Sequence, residues 1–183
     1  MLNVANTITL LRFALVPALA LQLIRAEYGP AFVMFIVSAV SDLADGIVAR
    51  RWNQATRFGA VADPLADKLT MLTVTGLLTI QHVLPWWFAL AVVLRDGLIV
   101  GGALAYYFWF GPVEMAPSRI SKLNTAMEFL LLLAVLAIQA GHVPDGRWLQ
   151  LLLYGTLATI VWSGGHYVLL WGQRAAQARR SMM

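Results

Sequence analysis

Four aspartates, Asp42, Asp45, Asp63 and Asp67, stand in a chain that is otherwise 60% hydrophobic and only 12% charged. On a helix, Asp42, Asp45 and Ala49 are spaced i, i+3, i+7 and share a face, with Gly46 beside them. Gly59, Asp63 and Asp67 are spaced i, i+4, i+8 and share another. If the two segments form an antiparallel hairpin through a loop over 52–62, the acidic faces converge. Four carboxylates in a low dielectric cannot all stay ionised unless cations neutralise them. With no histidine near them and no cysteine anywhere in the chain, ligation is all-oxygen. That donor set selects Mg²⁺ or Mn²⁺, and clustered aspartates can bridge two ions.

The small residues in the same segments complete the chemistry. Gly46, Ala49 and Gly59 remove bulk beside the acids, so that a flat base or a diphosphate can approach the backbone. Arg50 adds a bidentate phosphate donor at the same end. Acids for metal, space for a ligand and a cation for phosphate describe a site for a nucleotide-like diphosphate.

The elements that must hold these groups are membrane helices. A mean hydropathy of +0.73 leaves too little polar surface for a soluble domain of 183 residues. Six apolar stretches are long enough to cross a hydrocarbon core, near 4–26, 31–51, 64–82, 85–108, 120–140 and 148–171. Turn residues separate them, and Trp86, Trp87, Trp109, Trp148 and Trp171 fall at their ends, as interfacial aromatics do. No repeat, low-complexity tract or linker divides the chain, so residues 1–183 read as one integral membrane catalytic domain. The N-terminal run lacks the basic head and cleavage site of a signal peptide and is expected to be the first helix of the mature protein. Arg50, Arg51, Arg57, Arg119, Lys122, Arg174, Arg179 and Arg180 fall on the side shared by both termini, with only Arg25 and Arg147 opposite. The positive-inside rule puts both termini, the 52–62 loop and the acids on the cytoplasmic face, as in a bacterial inner membrane. The net charge of +4 comes from basic residues between apolar spans, which points to anionic lipid and not to nucleic acid.

The pattern Asp42-x2-Asp45-Gly46-x2-Ala49-Arg50-x8-Gly59-x3-Asp63-x3-Asp67 resembles the signature of the CDP-alcohol phosphatidyltransferases at every fixed position. The opening Asn6-Thr7-Ile8-Thr9-Leu10-Leu11-Arg12 is similar to that family's first helix. The resemblance implies an all-α fold of six transmembrane helices, a homodimer and a site open to the cytoplasmic leaflet. It implies that Asp42, Asp45 and Asp63 hold a dinuclear metal centre. Asp67 would contact metal and act as general base on an acceptor hydroxyl, and Gly46, Ala49 and Gly59 would line the pocket for the CDP moiety of CDP-diacylglycerol.

The signature fixes the donor and leaves the acceptor open. Candidate acceptor residues are Arg95, Arg119, Lys122 and Asn124. The stretch 51–60 resembles phosphatidylglycerophosphate synthases, which use glycerol 3-phosphate. Arg95-Asp96 and Ser121-Lys122-Leu123-Asn124-Thr125, with Pro117 and Ser118 before them, resemble CMP-forming cardiolipin synthases, which use phosphatidylglycerol. Asn124 stands where the glycerophosphate enzymes usually carry a second lysine, which removes a cation from the place a phosphate monoester would bind. Cardiolipin synthase is the favoured reading. Arg95-Asp96 read alternatively as a packing ion pair, and Glu128 as a partner to a neighbouring helix. Other classes are a non-catalytic scaffold, which would need no acids, and a divalent-cation transporter. A transporter needs acids or broken helices near the midplane, whereas these acids gather at one face.

Overall fold

The computed structural model describes the backbone of residues 4–51, 57–110 and 118–181, and the side chains of 11–41, 62, 64–109 and 118–173. Within them the chain forms six helices: α1 Val4–Ile24, α2 Tyr28–Arg51, α3 Arg57–Ile80, α4 Trp86–Phe110, α5 Arg119–Gln139 and α6 Arg147–Ser181. Five of them lie within a few residues of the apolar stretches at their N-terminal ends. The exception is α3, which begins at Arg57, so the expected 52–62 loop gives way to helix over its second half. Pro64 is carried inside α3, where its missing N–H costs the helix one hydrogen bond near its start. Gly59, Asp63 and Asp67 therefore do share one helix.

Among the described residues, two helices are long and apolar enough to cross a membrane by the criterion of a continuous apolar window, over Trp86–Trp109 and Arg119–Gln139.

The chain gathers into two compact units. The first comprises Met1–Leu84 and Leu132–Asp145, the second Pro85–Leu131 and Gly146–Met183. In the first, α1 packs against both α2 and α3. Leu19 and Leu23 of α1, Ala31 and Phe35 of α2, and Val74 and Leu78 of α3 are buried. The α2 entrance is fixed by polar contacts, with the Tyr28 hydroxyl 3.0 Å from Gln81 Oε1 while the Gln81 amide donates to the Leu23 carbonyl. The turn after α1 needs Ala26 at φ 57°, a left-handed conformation that α3 repeats after its own end, with His82 at φ 59°.

In the second unit α4 packs against α6. Gly102 makes this approach possible, because a Cβ there would stand 2.7 Å from the Trp171 indole. Trp171 also lies 5.6 Å from the Tyr106 ring, centroid to centroid. Trp171, half-exposed, thus packs on the contact of α4 with α6, and α6 continues beyond it to Ser181. Trp86 and Trp109, at 70% and 78% exposed, keep the surface position expected of interfacial aromatics.

Candidate active site

Of the four acids, Asp42 and Asp45 lie on α2 and Asp63 and Asp67 on α3, the two helices that flank α1. The side chains of Asp42, Asp45, Gly46, Ala49, Arg50, Gly59 and Asp63 lie outside the described residues. Among the described residues no group of three histidine or acidic side chains could hold a metal, and Asp67 is the one member of the quartet whose surroundings are described.

Asp67 is half-exposed and takes an ion pair from Arg12 of α1, the guanidinium Nη2 meeting Oδ1. Arg12 itself is fully buried and is the largest such side chain among the described residues. It shares a face of α1 with Leu19 and Leu23, at i+7 and i+11, so the helix turns this one cation inward with its apolar core residues. From sequence, Arg12 stood only in the opening stretch from Asn6 to Arg12 and was not placed in the site. Its partner lies 55 residues away along the chain, which no local pattern discloses.

The second unit holds a buried polar layer between α4, α5 and α6. Arg95 is its centre. Its Nε and Nη2 donate to Ser163 Oγ at 3.2 and 2.9 Å, its Nη2 to Ser121 Oγ at 2.6 Å, and its Nη1 to Asp96 Oδ1 at 2.9 Å. Asn124, also fully buried, receives Thr159 Oγ1 at 3.0 Å on Oδ1. Thr156 Oγ1 donates to the Leu152 carbonyl at 2.8 Å, and Glu128 is buried nearby on α5. Ser121, Asn124 and Glu128 are spaced i, i+3, i+7 on α5, and Thr156, Thr159 and Ser163 have the same spacing on α6. Each is a polar stripe on an apolar helix.

The four candidate acceptor residues therefore divide. Arg95 and Asn124 lie inside this polar layer, whereas Arg119 and Lys122 are exposed at the N-terminal end of α5. The α6 members of the layer were missed from sequence, although their helical spacing was legible. Among the histidines, His142 is exposed and its ring lies 5.2 Å from that of Phe32.

Carboxylates at helical register on two neighbours of one helix form a candidate donor set of the kind that suits a hard, oxygen-loving cation.

A model of the CDP-alcohol phosphatidyltransferase family matches residues 2–162. A Mycobacterium tuberculosis protein that bears the provisional name of a cardiolipin synthase is 34% identical over 173 residues, covering 93% of this chain and 78% of that one. The human CMP-forming cardiolipin synthase is 29% identical, covering 90% of this chain and 60% of its own length. The CDP-diacylglycerol–glycerol-3-phosphate 3-phosphatidyltransferase of Escherichia coli K12 is 34% identical over 136 residues, covering 71% of this chain and 74% of its own.

Proposed function

Because the chain belongs to the CDP-alcohol phosphatidyltransferase family, an enzyme family that generally depends on divalent metal, we propose that it makes cardiolipin from CDP-diacylglycerol and phosphatidylglycerol, releasing CMP. The whole chain serves as one catalytic domain, six helices crossing a bacterial inner membrane with the site toward the cytoplasm and two copies forming a dimer.

The reaction balances as follows. The acceptor hydroxyl oxygen bonds to the phosphorus next to the diacylglycerol, the P–O bond to the bridging oxygen of the diphosphate breaks, and CMP leaves with that oxygen. The hydroxyl proton passes to the Asp67 carboxylate as general base. Asp42, Asp45, Asp63 and Asp67 hold two Mg²⁺ or Mn²⁺ ions, which when bound supply charge neutralisation to the transferring group and the departing CMP. Gly46, Ala49 and Gly59 leave room for the cytidine and diphosphate, and Arg50 pairs with phosphate. Arg95 and Asn124 recognise the acceptor, with Arg119 and Lys122 at the entrance to α5.

The observation that carries the choice of acceptor is the make-up of the buried polar layer. It offers one guanidinium, already paired with Asp96 and two hydroxyls, and an amide where a second cation would stand. A phosphate monoester, close to dianionic at neutral pH, asks for more positive charge than that. A phosphodiester carries one charge, and its acyl chains stay in the leaflet. The alternative acceptor is glycerol 3-phosphate, supported by the glycerophosphate-using relative and by the 51–60 stretch. The test is product analysis with purified enzyme, CDP-diacylglycerol, Mg²⁺ or Mn²⁺ and each acceptor in turn. Cardiolipin with phosphatidylglycerol is expected; phosphatidylglycerophosphate alone would reassign the acceptor and keep the reaction class.

A further inference from the structure

We propose that Arg12 is a positioning residue for Asp67: its buried guanidinium holds one carboxylate oxygen so that the base meets the acceptor hydroxyl in a fixed orientation. The inference rests on the reading of Asp67 as general base and adds to it a residue outside the eight-position signature.

The argument starts from cost. A guanidinium inside an apolar helix is expensive, and a buried charge with a hydrogen-bonded counter-charge is tolerated where an isolated one is not. Arg12 has no exposed surface, and the carboxylate it meets belongs to the acid motif. An arginine that served only to tie α1 to α3 could pair with any polar group along their contact. This one reaches the acid that ends the motif, from the same α1 face that carries Leu19 and Leu23 into the core.

The geometry explains what such a contact does. The terminal torsion of an aspartate is broad, so a contact to one carboxylate oxygen narrows the orientations the group samples. General-base transfer requires hydrogen-bond reach and alignment with the hydroxyl at the moment of attack. A planar guanidinium that is itself immobilised by burial gives the carboxylate a second fixed point. Asp67 keeps 46% of its side chain exposed, so the contact from α1 leaves an approach for a substrate. Arg12 thus acts through Asp67 and touches no reacting atom.

A double-mutant cycle tests this, with kcat normalised to folded, detergent-purified protein. Arg12→Gln is expected to lower kcat by roughly 50-fold in the wild-type background and by less than about threefold in Asp67→Asn, because a contact that works through Asp67 has nothing left to align. Arg12→Lys, which keeps a charge but loses the fork, is expected between the two, within about tenfold of wild type. Mn²⁺-dependent binding of CDP-diacylglycerol, a readout independent of turnover, is expected to stay within about threefold in Arg12→Gln. Equal fold-losses in both backgrounds, or a loss confined to the KM for CDP-diacylglycerol, would overturn the proposal and leave Arg12 as a strut between α1 and α3. Should Arg12→Gln fail to fold, the same cycle run with Arg12→Lys decides the matter by the same criterion. Failure of the underlying reading is distinguishable: Asp67→Asn alone would then keep near-normal turnover, whatever Arg12→Gln does.

Discussion

Arg95 of α4 grips Ser163 of α6 with two of its nitrogens, Nη2 at 2.9 Å and Nε at 3.2 Å from one hydroxyl oxygen. The same Nη2 lies 2.6 Å from Ser121 of α5. One side chain therefore ties three helices through two serines, in a region whose neighbours are apolar. Hydrogen bonds between helices in such surroundings are worth about 0.5–2 kcal/mol each, and removing one partner of a buried charge leaves the other's polar groups stranded. Arg95→Met is accordingly expected to destabilise the protein by about 2–4 kcal/mol and to raise the KM for the acceptor more than that for CDP-diacylglycerol. Ser163→Ala, which leaves Ser121 and Asp96 in place, should cost about 1 kcal/mol. Thermal unfolding in detergent, read beside steady-state kinetics, separates the two effects. Unchanged acceptor KM in a folded Arg95→Met enzyme would leave this layer with a packing role only.

Gly102 offers a purely structural check on the same unit. A methyl group there would overlap the Trp171 ring, whose nearest atoms are 2.7 Å from the Cβ position. An indole packed against Tyr106 cannot retreat without moving a second ring. Gly102→Ala should cost about 1–3 kcal/mol, while Gly97→Ala, where nothing lies within 4 Å, should be close to neutral. Equal melting temperatures for the two variants would contradict the close approach of α4 and α6.

How far the sequence disclosed this molecule depends on the range of each signal. The helices were legible because apolar runs of about 20 residues and their turn residues are local features. The acids and small residues were legible because a fixed spacing on one helix is also local, and α3 does carry Gly59, Asp63 and Asp67 on a single element. The start of α3 was set too late because the apolar stretch opens only at Pro64, whereas the helix begins at Arg57 and carries that proline inside it. Arg12 and Asp67 were not paired because 55 residues separate them and an arginine in an apolar run reads first as a topological signal. The α6 stripe of Thr156, Thr159 and Ser163 had a readable period, yet small hydroxyl residues on an apolar helix are common enough that spacing alone did not raise them above packing.

Asp67→Asn keeps the shape of the side chain and removes its capacity to take a proton. Turnover is expected to fall by roughly 10²–10⁴-fold, the usual worth of a positioned base, while CDP-diacylglycerol binding persists. Asp63→Asn should instead weaken the metal-dependent binding of the nucleotide lipid. Chelation with EDTA should abolish activity, and added Mg²⁺ or Mn²⁺ should restore it. Near-normal turnover in Asp67→Asn would move the role of base to another group.

Gly46→Leu and Ala49→Leu place bulk on the acid-bearing face of α2. Activity should drop at least about 100-fold in protein that still elutes as a folded species, since an obstructed pocket removes substrate binding without emptying a core. The measurement is CDP-diacylglycerol affinity by titration. Unaltered affinity in either variant would dissociate this face from the nucleotide.

The acceptor is decided most directly at Asn124. This side chain has no exposed surface, and Thr159 contacts its Oδ1 at 3.0 Å, so it contributes dipoles but no charge to the polar layer. Asn124→Lys would add an ammonium beside Arg95's network, at a cost in stability of a few kcal/mol unless an anion neutralises it. A phosphate monoester does so better than a phosphodiester. The variant should therefore lose at least about tenfold in kcat/KM with phosphatidylglycerol and gain relative preference for glycerol 3-phosphate by several-fold, a difference of about 1–2 kcal/mol in transition-state binding. Asn124→Ala is the control: it should lose phosphatidylglycerol activity without the gain, because it removes the amide and adds no cation. Products are resolved by mass spectrometry from reactions holding both acceptors together. An unchanged ratio of cardiolipin to phosphatidylglycerophosphate in Asn124→Lys would mean that selection is made elsewhere, with the exposed Arg119 and Lys122 at the start of α5 the next residues to vary.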